Sequence, residues 1–361
     1  MEQNNDAIEL LDYIHRGAFC VKDGVILKVN EAAQKRNITE GSDIYALLKT
    51  GKTEYRMFCG GCLYLTLDLG GTPWGASVTR TKNFDVFVLE QDEDQSELQA
   101  MALAAQELRQ PLTNIMVVAD SLFPIACDPD DPEAQQQAAR INRGLFQMHR
   151  IINNMSDAYR YCQDTSSRQE TRNITALLEE TFQASASLLE SAGITLRYTG
   201  LQESIYCLAD EEKLERAVSN LLSNAIKFAP KNGCIDAKLS RTGSMLYLTV
   251  QDNGDGIAPN LRSQIFSRYL REPGIEDSRY GIGLGMVLVR AAATAHGGTV
   301  LMEQSPEFGT RLTLTIPIRQ SSESIVKSNT LSIDYAGGRD RRLLELSDSL
   351  PADAYRFHKP D

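Results

Sequence analysis

Apolar residues change their spacing along this chain, and each change marks a different kind of structure. Near the start they come in short runs. Ala18-Phe19-Cys20-Val21 and Gly24-Val25-Ile26-Leu27-Lys28-Val29 read as strands joined by the turn Lys22-Asp23-Gly24. A helix is predicted from Asn30, whose side-chain oxygen suits an N-cap, with helix formers from Glu31 to Arg36 behind it. Two glycines accept the positive φ angles of a tight turn, so Gly60-Gly61 predicts a hairpin between Tyr55–Cys59 and Cys62–Thr66. After the polar junction Asp92–Ser96 the period becomes helical. Leu98, Met101, Ala105, Leu108, Leu112, Ile115, Ala119 and Leu122 follow alternating steps of three and four. A loop rich in proline and aspartate ends at Pro132, and a second seam runs through Ala138, Ile141, Leu145, Met148, Ile152, Met155, Tyr159 and Cys162. Two such helices cannot bury their stripes alone, so the pattern predicts a helical hairpin that dimerises into a four-helix bundle. From about residue 170 to 318 helical and strand patterns alternate. Beyond that, Leu331–Tyr335 reads as a strand and Asp340–Leu346 as a helix, docked on the preceding domain.

Composition narrows the partners. With 361 residues, 42% hydrophobic, the chain can bury more than one core. A formal charge of -11, with no dominant basic run, argues against a nucleic-acid binder. No apolar run approaches the ~18 residues that span a bilayer, and the acidic start does not resemble a signal peptide; a cytoplasmic protein without a membrane span is expected. Seven cysteines, an odd and dispersed set, are expected as reduced thiols. Cys59-x-x-Cys62 lacks the second ligand pair that zinc requires and reads as two thiols beside the hairpin, while Trp74 reads as core.

Short motifs in the third region carry chemistry. Asn220 and Asn224, four apart on one helix face in Asn220-Leu221-Leu222-Ser223-Asn224-Ala225-Ile226-Lys227, can offer amides to a triphosphate and its magnesium, with Lys227 nearby. Asp252-Asn253-Gly254-Asp255-Gly256-Ile257 follows the strand Leu246–Val250; a carboxylate at a strand end can accept from an adenine amino group, and glycines let backbone approach the base. Gly281-Ile282-Gly283-Leu284-Gly285 precedes a helix, and backbone N–H groups of such a loop form a phosphate cradle. Gly309-Thr310-Arg311 then leads into the strand Leu312–Ile316.

In order and spacing these resemble the asparagine box and glycine boxes of the GHKL ATPases, the superfamily of histidine kinases, DNA gyrase, a heat-shock chaperone and mismatch-repair ATPases. The resemblance implies a GHKL α/β sandwich holding ATP and Mg2+. Asn220, Asn224, Lys227, Asp252, Gly254, Gly256, Ile257, Gly281, Gly283, Leu284, Gly285 and Thr310 would line the site, with Asn220 and Asn224 toward the metal. Ile265–Arg271 resembles the kinase F box, with Arg271 at its basic position, and Glu272–Tyr280 is then the ATP lid. His296-Gly297-Gly298 matches a turn of the same family, with His296 a partly buried structural residue. Asp23-Gly24 through Ala33 resembles the start of a PAS sensor domain. The expected fold is multidomain α+β: a PAS-like sensor at 1–90, a dimerisation and phosphotransfer-like hairpin at 93–165, the GHKL domain at 170–318 and an extension at 319–361.

The stretch Ala105-Gln106-Glu107-Leu108-Arg109-Gln110-Pro111-Leu112 resembles the phosphoacceptor box of sensor histidine kinases, with glutamine where the family has histidine. An imidazole attacks a γ-phosphate through a ring nitrogen; a neutral amide has no comparable lone pair. Pro111 deletes the bond to the Glu107 carbonyl and predicts a bend just past Gln106. Glu107 matches the family's general base and Gln110 the position that orients water for dephosphorylating a receiver aspartate. His149, on the second helix at a similar height, is a substitute acceptor candidate. Three readings stand: a histidine-kinase homologue acting on a response-regulator receiver; an ATP-binding pseudokinase, receiver phosphatase or scaffold; and a GHKL ATPase or serine kinase, which the bundle opposes.

Overall fold

The computed structural model describes residues 10–90, 93–126, 131–163, 169–230, 232–257, 265–266, 283–305, 308–319 and 340–356. Strands β1 (Ala18–Lys22) and β2 (Val25–Val29) are antiparallel, and Asp23 and Gly24 between them have φ of 53° and 83°. Asn30 caps α1 (Glu31–Gln34), its Oδ1 accepting from Ala33 N at 3.0 Å. The same buried side chain accepts from Ala18 N and donates to the carbonyls of Ile14 and Arg16, so one residue starts the helix and ties the preceding segment to β1.

Helices α2 (Ile44–Leu47) and α3 (Lys52–Met57) precede the long strands β3 (Cys62–Leu69) and β4 (Thr72–Arg80), followed by β5 (Asp85–Leu89). Tyr55–Met57 is therefore helical, and the predicted hairpin at Gly60-Gly61 is displaced to Gly70-Gly71, between β3 and β4. Gly61 has a different use. Its φ is 92°, and a Cβ there would fall on the Met302 carbonyl, so glycine permits close passage of another strand. Trp74 is half-buried on β4 with the Arg36 guanidinium 4.5 Å from its ring centroid, and is not core.

Helices α4 (Glu93–Ala126) and α5 (Pro132–Gln163) form the predicted hairpin, and Pro111 does not end α4. The seams divide by heptad. Leu98, Ala105, Leu112 and Ala119 are buried, as are Ala138, Leu145 and Ile152; Leu108, Ile115 and Leu122, with Ile141 and Met148, stay exposed. One chain thus covers alternate members of each stripe and leaves an apolar face open.

The remainder comprises β6 (Glu170–Asn173), α6 (Ile174–Ser191), β7 (Thr195–Thr199), β8 (Tyr206–Ala209), α7 (Glu211–Phe228), β9 (Cys234–Thr242), β10 (Met245–Asp252), α8 (Gly285–His296), β11 (Val300–Ser305), β12 (Phe308–Pro317) and α9 (Arg341–Glu345). β7 and β9 are parallel, β6 pairs with β8 alone, and the main sheet runs β2-β1-β5-β4-β3-β11-β12-β10-β9-β7. The N-terminal sheet and the C-terminal sheet are one surface. They join where Leu63 pairs with Leu301 and Cys62 with Met302, beside Gly61. Tyr64 Oη donates to Glu90 at 2.9 Å, and Glu90 also pairs with Arg290 of α8.

His296 closes α8 and is fully buried, deeper than its sequence context implies. Its Nε2 accepts from Asp210 N at 2.9 Å while Nδ1 lies 2.7 Å from the Ala292 carbonyl, a pattern that fits a neutral ring with its proton on Nδ1. The predicted strand Leu331–Tyr335 lies outside the described residues. The helix predicted at Asp340–Leu346 is α9, capped by Asp340, whose Oδ1 accepts from Arg342 N at 2.7 Å.

Candidate functional site

Helix α7 begins under an N-cap, Asp210 Oδ1 accepting from Lys213 N at 3.1 Å, and its apolar residues Leu214, Val218, Leu221 and Leu222 are buried. Arg216, Asn220, Ser223 and Lys227 lie at steps of four, three and four and share another stripe. Asn220 is 1% exposed; its amide donates to the Arg216 carbonyl at 2.8 Å, and its Oδ1 accepts from Arg150 of α5 at 3.2 Å. Gly285, at the start of α8, comes so close that a Cβ would lie 2.9 Å from Asn220 Oδ1. Asn224 instead donates to Met286 Sδ at 3.2 Å. Lys227 Nζ lies 3.2 Å from Asp348 of the C-terminal segment; burial and the nearby Arg150 push the ammonium down to about 8.

Asp252 ends β10. Its Oδ1 accepts from Gly254 N at 2.9 Å and from Thr310 N at 3.1 Å, drawing the two glycine-bearing segments together. A Cβ on Gly309 would fall on the Asp252 carboxylate and on Gly254 backbone, so glycine is required there by close approach. Burial raises the Asp252 carboxyl above its ordinary value, against the two backbone N–H groups that lower it. Gly256 and Gly283 hold φ of 79° and 72°.

The predicted residues fall into separate groups. Asn220 and Gly285 meet, as do Asp252, Gly254 and Thr310; Ile257 is half-buried against the main core. Leu284 turns away from both, packing in one cluster with Leu98, Ala158 and Tyr161 at the base of the bundle. Gly281, Arg271 and the lid expected at 272–280 lie outside the described residues. On the bundle, Gln106, Glu107 and Gln110 are exposed, and Gln110 donates to Asn114 Oδ1 at 3.2 Å. His149 is half-buried on α5. Sequence reasoning missed Arg150, Arg216, Glu345 and Asp348, a buried charged set spanning three elements. The spacing Leu343, Leu344, Leu346, Leu350 was the available sign that the C-terminal segment packs against something.

The residues fit a purine nucleotide in part. Among the described residues Asp252 accepts both backbone bonds on Oδ1, which leaves Oδ2 for an exocyclic amine. Asn224 donates through its amide nitrogen to sulfur, leaving its oxygen for a cation, whereas Asn220 turns its oxygen to a guanidinium. Asn224 suits magnesium better than Asn220. Among the described residues no group of three or more His, Cys, Asp or Glu is arranged to hold a metal.

Comparison with known proteins agrees with both halves of this arrangement. Residues 209–320 match the model described as histidine kinase-, DNA gyrase B-, and HSP90-like ATPase, and residues 96–161 match the His Kinase A (phospho-acceptor) domain. Residues 96–161 and 209–320 are thus those of the histidine kinase family. Among similar members, sensor histidine kinase RppB of Synechocystis sp. is 27% identical over 226 residues, 62% of this chain and 50% of RppB. Histidine protein kinase DivJ of Caulobacter vibrioides is 30% identical over 239 residues, 62% of this chain and 40% of DivJ. This histidine kinase homologue thus spans half or less of the length of those relatives. Full-length ShkA, solved in complex with AMPPNP, shares the fold over 62% of this chain and 47% of its own, with a TM-score of 0.50 and 22% identity. Among the described residues no helix is long and apolar enough to cross a membrane.

Proposed function

We propose that this histidine kinase homologue binds ATP with Mg2+ and signals through its bundle without capturing phosphate at position 106. The observation that carries the reading is a contrast between two sites. Asp252 holds Gly254 and Thr310 on one oxygen, and Gly285 abuts Asn220, contacts that a domain retaining only the fold has no need to keep. At the bundle, the exposed side chain at position 106 is an amide. ATP would supply the phosphoryl group and the energy of closure; Asp252 would accept from the adenine amine, Asn224 would face the cation and Lys227 the phosphates.

The exposed members of both seams, Leu108, Ile115, Leu122, Ile141 and Met148, support a homodimer built through the hairpin. The antiparallel order β2-β1-β5-β4-β3 supports a PAS-like sensor at 1–90. A response-regulator receiver is the partner proposed for the bundle, and Glu107 and Gln110, exposed on the same helix, suit the orientation of water in dephosphorylation better than phosphate capture. His149 as substitute acceptor is less well supported: it is half-buried, and its neighbour Arg150 points to α7.

Calorimetric titration of Mg-ATP into the chain and into Asp252→Asn tests the nucleotide half. Binding by the parent with at least a tenfold loss in the variant is expected; no binding by the parent would overturn it.

A further inference from the structure

The stripe of α7 that carries Asn220 and Lys227 is covered by residues of this same chain. Arg216 pairs with Glu345, Ser223 Oγ lies 2.9 Å from Ser349 Oγ, and Lys227 pairs with Asp348. Asp348 Oδ2 is also 2.6 Å from Arg150 Nη1, so a single carboxylate oxygen sits between a bundle arginine and the lysine assigned to the phosphates. The segment bearing it is seated firmly. Leu344, Leu346, Leu350 and Tyr355 are all but fully buried, and the Tyr355 ring meets Phe146 edge-on at 5.2 Å. Helix α5 donates to its backbone, Asn142 to the Tyr355 carbonyl at 2.7 Å and Arg143 and Gln147 to the Ser347 carbonyl at 3.2 Å each.

A carboxylate oxygen and a phosphate oxygen make the same demand on these cations: negative charge and lone pairs directed at N–H donors. We propose that Asp348 is a competitor in cis for the triphosphate, so that docking of residues 340–356 and occupation of the phosphate end of the nucleotide site exclude one another. This rests on the nucleotide reading above. Bridging α5 to α7, the docked segment also adds to the contacts that hold the bundle against the ATPase-like domain, beside the pairs Arg216–Asp157 and Arg160–Glu212. The charged set is balanced: Arg150, Arg216 and Lys227 face Asp157, Glu345 and Asp348. A triphosphate arriving at Lys227 and Arg150 would replace the charge that Asp348 withdraws, so neither cation would be left buried without an anion. A ligand that binds only the released state has its apparent affinity reduced by the fraction of chains in that state.

The test uses the full chain, its Asp348→Asn variant and the magnesium complex of a non-hydrolysable ATP analogue. Titration calorimetry should give at least tenfold tighter binding to the variant. In the parent chain, saturating analogue should speed amide hydrogen exchange across residues 342–355. Equal affinities with unchanged exchange would overturn competition and leave the nucleotide reading intact. Binding to neither chain would overturn both. Should Asp348→Asn not fold, exchange in the parent decides alone: faster exchange on adding analogue supports competition, and unchanged exchange refutes it.

Discussion

Arg150 of the second bundle helix donates to Asn220 of α7 across 3.2 Å, so the bundle touches the ATPase-like domain at a residue of the candidate site itself. The guanidinium is 3% exposed and also pairs with Asp348. Removing a buried charge strands its partners, at a cost of about 3–5 kcal/mol. Arg150→Met should therefore lower the stability of the C-terminal region by about 3 kcal/mol in urea unfolding. The double variant with Asp348→Asn should lose less than the sum of the two single changes, because they share one ion pair.

The sheet junction gives a second prediction. Gly61 holds a φ of 92° against the Met302 carbonyl, where any side chain is both strained and obstructed. Gly61→Ala should cost about 1–3 kcal/mol and part β3 from β11. Calorimetry would read this as separate melting of the N-terminal and C-terminal sheets where the parent melts as a coupled unit.

Dimerisation can be separated from folding because, among the described residues, the open face is left uncovered. Leu108 and Ile115 are 51% and 54% exposed. Leu108→Glu with Ile115→Glu should convert a dimer to a monomer in sedimentation velocity, with the far-ultraviolet circular dichroism of the monomer unchanged. A variant that remains dimeric would remove this face from the interface.

His296 contributes to the acid side of the stability profile. Burial lowers its folded value below the ordinary 6.5, outweighing the Ala292 carbonyl and the Asp210 carboxylate, which raise it. The unfolded chain then binds the proton first as pH falls. Stability from the neutral ring is complete above 6.5 and is lost progressively as pH drops from there toward the depressed folded value. Melting temperatures from pH 7.5 to 5.5 should fall more steeply in the parent than in His296→Gln.

Much of this architecture was legible because it repeats or is local. The heptad steps gave both bundle helices, and Asn30 and Asp340 announced their caps through the residues that follow. The glycine boxes gave the two strand ends that meet at Asp252. What failed was non-local. Gly60-Gly61 looks like a turn, yet Gly61 serves a strand some 240 residues later in sequence, at Met302. Asn220 and Asn224 share a helix face, but Arg150 and Met286 engage them differently. The tail's helix was readable; that its carboxylates would reach Arg150, Arg216 and Lys227 was not, since ion pairing across 100 residues or more leaves no periodic trace.

The central claim is that nucleotide chemistry is retained while phosphate capture at position 106 is absent. Incubation with γ-labelled ATP and Mg2+, comparing the chain with Gln106→His, tests it most directly. Acid-labile label on the variant alone is the predicted result; acid-labile label on the parent chain would contradict it.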